Sequence, residues 1–195
     1  MRRIFKKIAR HYFISWRHIK ESKNYIFLTI LLFLFGIGIS LIYRPAIIVD
    51  LIKNFIERVV QDTQGLNLWG MIVYILNNNL RSCFFSMIFG IFLGIFPIFT
   101  VLSNGYVLGF VAEKAVGLEG MPVLLRLFPH GIFEFPAVII SIALGLKLGF
   151  FWFSKNKKKG FLENIENSLR AFLFIILPLL IIAAIMEGIL IIVLD

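Results

Sequence analysis

The chain of 195 residues is 59% hydrophobic and only 16% charged, with a mean hydropathy of +0.92, a surface no water-soluble domain of this size would tolerate. Its net charge of +9 does not indicate nucleic acid: the basic residues form two blocks beside apolar segments, with no nucleic-acid-binding motif. The composition therefore predicts an all-α, polytopic membrane protein, because the apolar runs reach the roughly 20 residues that cross about 30 Å of hydrocarbon and are too continuous for a barrel.

The first basic block, Arg2, Arg3, Lys6, Lys7, Arg10, Arg17, Lys20 and Lys23, lies in a segment 1–23 whose apolar residues Ile4, Phe5, Ile8, Ala9, Tyr12, Phe13, Trp16 and Ile19 recur at helical spacing. That pattern predicts a surface-lying amphipathic helix on the cytoplasmic side, drawn to anionic lipid headgroups. A single transmembrane domain, 24–195, follows. Its first span, about 25–43, is too long and too poorly terminated for a cleavable signal and is expected to be a permanent anchor. After Pro45, residues 46–61 repeat the amphipathic theme and predict a second interfacial helix on the opposite side.

Asn77-Asn78-Asn79 ends the next apolar stretch and is expected at a helix start or membrane boundary, since buried amides need partners. From Leu80 to about Ala112 the chain is apolar for longer than one helix needs. The Asn104-Gly105 pair is a turn signal, which predicts spans of about 80–101 and 105–118. Further spans are expected at about 130–152, with Lys147 snorkelling toward the basic loop, and at about 168–193, with Pro178 in mid-course.

If both basic blocks, the second being Lys155, Lys157, Lys158 and Lys159, are cytoplasmic, the number of crossings between them is even. A bundle of about five transmembrane helices satisfies this, with the N-terminus inside and Asp195 outside. A re-entrant hairpin over 80–118 satisfies it too.

That orientation gathers His130, Glu134, Glu187 and Glu113 in one outer zone, with His130 and Glu134 at i and i+4 on one helix face. Ionisable groups in membrane helices are functional candidates. Three readings follow: a structural network in which Glu134 pairs with Arg126 or Lys114, a binding or transport pocket, or a divalent metal held by His130, Glu134 and Glu187 for Lewis-acid chemistry. Imidazole with carboxylates would suit zinc, manganese or iron. The run lacks the second histidine of the zinc-protease helix signature. Cys83 has no partner for a disulfide, and no serine triad or phosphate-binding glycine loop is present.

Gly90 and Gly94, Gly105 and Gly109, and Gly145 and Gly149 are small-xxx-small pairs, expected at close helix contacts and, more sharply, at an oligomer contact. Structural roles are likewise expected for Asn79, Asn104, Pro129, Gly131 and Pro136.

The order Asn78-Asn79, Gly90 and Gly94, Asn104-Gly105 with Gly109, Pro129-His130-Gly131 with Glu134 and Pro136-Ala137, Leu169-Arg170-Ala171, then Ala183-Ala184 with Glu187, resembles the stage II sporulation protein M family over about residues 24–193. The resemblance implies a multi-span membrane protein, commonly of five spans. It further implies a scaffold role like that of the namesake, which recruits peptidoglycan-degrading partners in spore-forming bacteria, and it supplies no catalytic residue. The leading expectation is a non-enzymatic scaffold in the cell envelope with protein partners, set against a transporter or channel component and an intramembrane metalloenzyme.

Overall fold

The computed structural model describes residues 2–151 and 159–194, with side chains described for 6–124, 131–151 and 160–191. The described residues form helices and turns, in the order α1 (Arg2–Glu21), α2 (Lys23–Ile42), α3 (Ala46–Thr63), α4 (Leu68–Ile88), α5 (Ile95–Glu119), α6 (Val123–Phe150), α7 (Lys159–Ala171) and α8 (Leu177–Leu194).

The breaks have local causes. Pro45 opens α3, and the Asn67 side chain accepts the Gly70 N–H at 2.9 Å to cap α4. After a short 3-10 turn at Phe89–Ile91, the chain reverses through Leu93 (φ 55) and Gly94 (φ 73), a left-handed conformation that favours glycine. Pro97 falls in the first turn of α5, where its missing N–H costs nothing. Between α7 and α8 a wide π turn, Phe172–Ile176, lets the Leu177 N–H bond the Phe172 carbonyl just before Pro178, so the helix passes the proline without ending.

Four helical segments among the described residues are long and apolar enough to cross a membrane: Lys23–Ile42, Ile95–Glu119, Gly131–Phe150 and Gly160–Ile191. The helix α4 is not among them; it carries Asn77, Asn78, Asn79 and Arg81.

Glycine sets the packing. α2 and α5 run parallel: a Cβ on Gly105 would strike the Phe33 carbonyl, one on Gly36 would lie 2.6 Å from the Leu102 oxygen, and one on Gly109 would meet Ser40. α4 and α6 are also parallel, with Gly90 against Gly145, Gly149 against Gly94, and the Ser141 hydroxyl donating to the Cys83 carbonyl at 2.6 Å. α6 runs opposite to α2, as the ring contacts Phe33–Phe135 and Tyr25–Phe150 show. α8 runs opposite to α4, with Phe172 on Phe84 and Gly188 on Ile72. Between the helices lies a core of Cys83, Met87, Leu144, Leu148, Ile176 and Leu180. α3 lays Ile52 on Tyr106 and Phe110.

Three expectations are corrected. Asn104-Gly105 is not a turn: α5 runs through it, because Gly105 is used for contact with α2 and Asn104 is exposed on the helix. The helices of this region are therefore 68–88 and 95–119, not 80–101 and 105–118, and the reversal falls at Gly94. Asn77–Asn79 lie in the middle of α4 rather than at its start, because the cap is Asn67. The last helical stretch begins earlier than the expected span at about 168–193, at Lys159, since the π turn before Pro178 continues it, whereas α6, opening at Val123 after Pro122, holds the expected span as Gly131–Phe150.

Candidate functional site

The helices α4, α6 and α8 bring Glu134 and Glu187 within electrostatic reach of each other, and Glu134 within reach of Cys83. Glu187 Oε2 is buried without a hydrogen-bond partner among the described residues. The side chain of His130 lies outside the described residues, as do those of Arg126 and Pro129. The helical backbone of α6 sets residue 130 one turn before Glu134. Among the described residues no group of three metal-ligating side chains gathers, so the carboxylate pair alone is placed by the structure. Chemically, two half-buried carboxylates accept a proton or a cation more readily than they tolerate two bare charges.

Glu113 is engaged elsewhere. Its carboxylate pairs with Arg44 at 3.1 Å, joining the far ends of α2 and α5. Lys114 rests over the Phe110 ring, 5.9 Å from its centroid. Gly131 faces the Phe135 ring of its own helix.

A second polar cluster was not foreseen. At the end of the bundle where α2 begins, His18 is 3% exposed and lies between α1, α2, α6 and α7. Its Nε2 is 3.2 Å from Ser168 Oγ and its Nδ1 is 3.4 Å from Lys147 Nζ. Lys147 also donates to Ser22 Oγ at 3.1 Å, and the Ser22 hydroxyl donates to the His18 carbonyl at 2.7 Å. An ammonium can only donate, so Nδ1 accepts and Nε2–H is left to donate to Ser168. Burial, then the neighbouring Lys147 charge, lowers the His18 pKa to about 4, against a smaller opposing pull from Glu21. His18 is thus neutral at pH 7. The His18 signal was hidden because a histidine in a basic, exposed-looking helix reads as one more polar position; its spacing from Ser15 and Ser22, both wholly buried, was the available clue.

A third polar group, Tyr74, Asn77, Asn78 and Arg81, lines one face of α4 with Asp62 from α3 at its mouth. The amides were noticed in the sequence, but Arg81 was not.

Together, the apolar antiparallel and parallel helices with polar residues held between them define a helical membrane protein. A family model described as Stage II sporulation protein M matches residues 26–190, and the chain belongs to that family. It is similar to two uncharacterized proteins of Methanocaldococcus jannaschii. One is 37% identical over 124 residues, covering 60% of this chain and 54% of the relative. The other is 32% identical over 120 residues, covering 58% of this chain and 66% of the relative. The matched stretch thus spans between about half and two thirds of these relatives. No solved structure matches the chain.

Proposed function

We propose that this protein is a non-catalytic scaffold in the cell membrane that holds envelope-remodelling partners, with five alternating crossings, a cytoplasmic N-terminus and an external C-terminus. The carrying observation is the filled interior: Met87, Val101, Ile142, Leu144, Ile176 and Leu180 are wholly buried, and the helices meet backbone to backbone at glycines. Such a bundle is a rigid platform rather than a conduit. The parallel pairing of α2 with α5 and of α4 with α6 fits alternating crossings in which α4 is the fifth. An interfacial position for α1 and α3 would suit their alternation of basic and apolar residues.

The test is affinity purification of the full chain from its native membrane in a gentle detergent. Recovery of cell-envelope-remodelling proteins supports the scaffold; recovery of no protein partner overturns it. A second reading, a proton or divalent-cation pocket at His130, Glu134 and Glu187, is favoured by the unpartnered Glu187 oxygen. Reconstituted liposomes and metal analysis test it: no flux, an unchanged Glu134→Gln variant and no bound metal would remove it.

A further inference from the structure

Tyr74, Asn77, Asn78 and Arg81 follow one another at i, i+3, i+4 and i+7, which sets them on one face of α4. Asn77, Asn78 and Arg81 are exposed on the outside of the bundle. With Asp62 they border a groove of about 550 Å³. Arg81 also borders a second groove of about 270 Å³, which is apolar and lined by Leu80, Phe84, Phe85, Leu173 and Leu177. The polar groove and the apolar groove therefore meet at this one cation.

Depth makes the arrangement unusual. Two residues beyond Arg81, the Cys83 carbonyl bonds Ser141, which stands halfway along the apolar segment Gly131–Phe150. Arg81 is thus level with the middle of an apolar helix, yet it faces outward and has no ion-pair partner among the described residues. A bare charge at that depth is costly unless something polar reaches it.

We infer that α4 carries a binding site for an anionic amphiphile, a phosphate or carboxylate headgroup attached to an acyl chain. The headgroup lies against Arg81 and the amides of Asn77 and Asn78. The chain lies along Phe84, Phe85 and Leu173. A guanidinium presents a fork of N–H donors suited to either oxyanion, and the two amides add donors one turn above it. The Asp62 carboxylate does not oppose this, because it sits near Tyr74, whose hydroxyl lies 3.5 Å from it, and Tyr74 is two helical turns, about 10 Å, from Arg81. A free anion lacks the apolar body that the adjoining groove accommodates. A second copy related by an axis along the membrane normal would set Arg81 against its own equivalent at equal depth, a like-charge contact.

The experiment uses the full chain in a neutral detergent, with binding read by native mass spectrometry. Phosphatidylglycerol, phosphatidylcholine, oleate and inorganic phosphate are the probes. One phosphatidylglycerol or oleate is expected per chain, at least tenfold tighter than phosphatidylcholine, and the preferred probe assigns the headgroup as phosphate or carboxylate. Arg81→Gln should lose that preference, Arg81→Lys should retain part of it, and Arg58→Gln on the exposed face of α3 should leave it intact. Equal retention of lipid by Arg81→Gln overturns the site. So does inorganic phosphate competing as well as the lipids, or a crosslink from Asn78→Cys, in a Cys83→Ala background, to another protein that added lipid does not diminish. Because Arg81→Lys keeps the charge, misfolding of Arg81→Gln alone leaves the question decidable.

Discussion

At the end where α2 begins, Lys147, His18 and Ser168 turn toward one another from three helices and meet Ser22 at the junction of α1 and α2, whereas Asn77, Asn78 and Arg81 turn away from the bundle along one. The first set satisfies its donors and acceptors internally and fastens the basic helix α1 to the apolar helices. Among the described residues the second makes one long contact within the fold, between Asn78 and Asn79 at 3.5 Å. The difference separates polar residues that hold a membrane bundle together from polar residues that the bundle merely carries. A closed network is costly to cut, while an open face is free to change until a ligand is present.

The largest effect expected is at the seam beneath both regions. Gly90→Leu or Gly149→Leu would drive a side chain into backbone of the facing segment and should cost more than about 3 kcal/mol, seen as loss of monodisperse protein after extraction. Gly38→Leu is the control, since a Cβ there meets nothing within 4 Å. If both variants behave alike, the seam does not carry the two polar regions.

Cutting the closed network comes next. Lys147→Met leaves His18 Nδ1 and Ser22 without their shared donor and should lower stability by about 1–3 kcal/mol, whereas Asn77→Ala and Asn78→Ala should stay within about 0.5 kcal/mol in lipid-free detergent. Thermal unfolding of the purified variants measures both; a reversed order breaks the contrast.

The same network sets a pH dependence. With a folded pKa of about 4 against 6.5 when unfolded, His18 binds its proton more readily in the unfolded chain. Stability is therefore full above pH 6.5 and falls as pH drops toward 4, by up to about 3 kcal/mol. Hydrogen exchange in α1 should accelerate across that window while α4 is unaffected, and His18→Gln should flatten the response. Smallest is Glu113→Gln, which breaks a half-exposed pair with Arg44 and should cost less than about 1 kcal/mol.

The helical class and the apolar runs of α2 and α6 could be read from the chain because hydrophobic periodicity is a local property. Which segment each glycine meets could not be, since that depends on what faces it. Gly94, read as a packing residue, meets Gly149 and also makes the reversal, while Gly105, read both as a packing residue and as part of a turn, lies inside a helix and admits the Phe33 carbonyl. The i, i+4 relation of residue 130 to Glu134 was legible for the same local reason. The Arg44–Glu113 pair and the Lys147–His18 contact were not, because each joins residues distant in sequence whose meeting depends on which helices run side by side.

The parallel seam of α2 and α5 also bears on biogenesis. Parallel neighbours cannot be consecutive in a chain that alternates direction, so Gly36 and Ser40 stay without their mates until residues 102–109 have been synthesised. During that interval α2 offers a bare small-residue edge to whatever insertion machinery accompanies the nascent chain. Assembly of this bundle is then governed by the order of arrival of its helices as much as by their affinity.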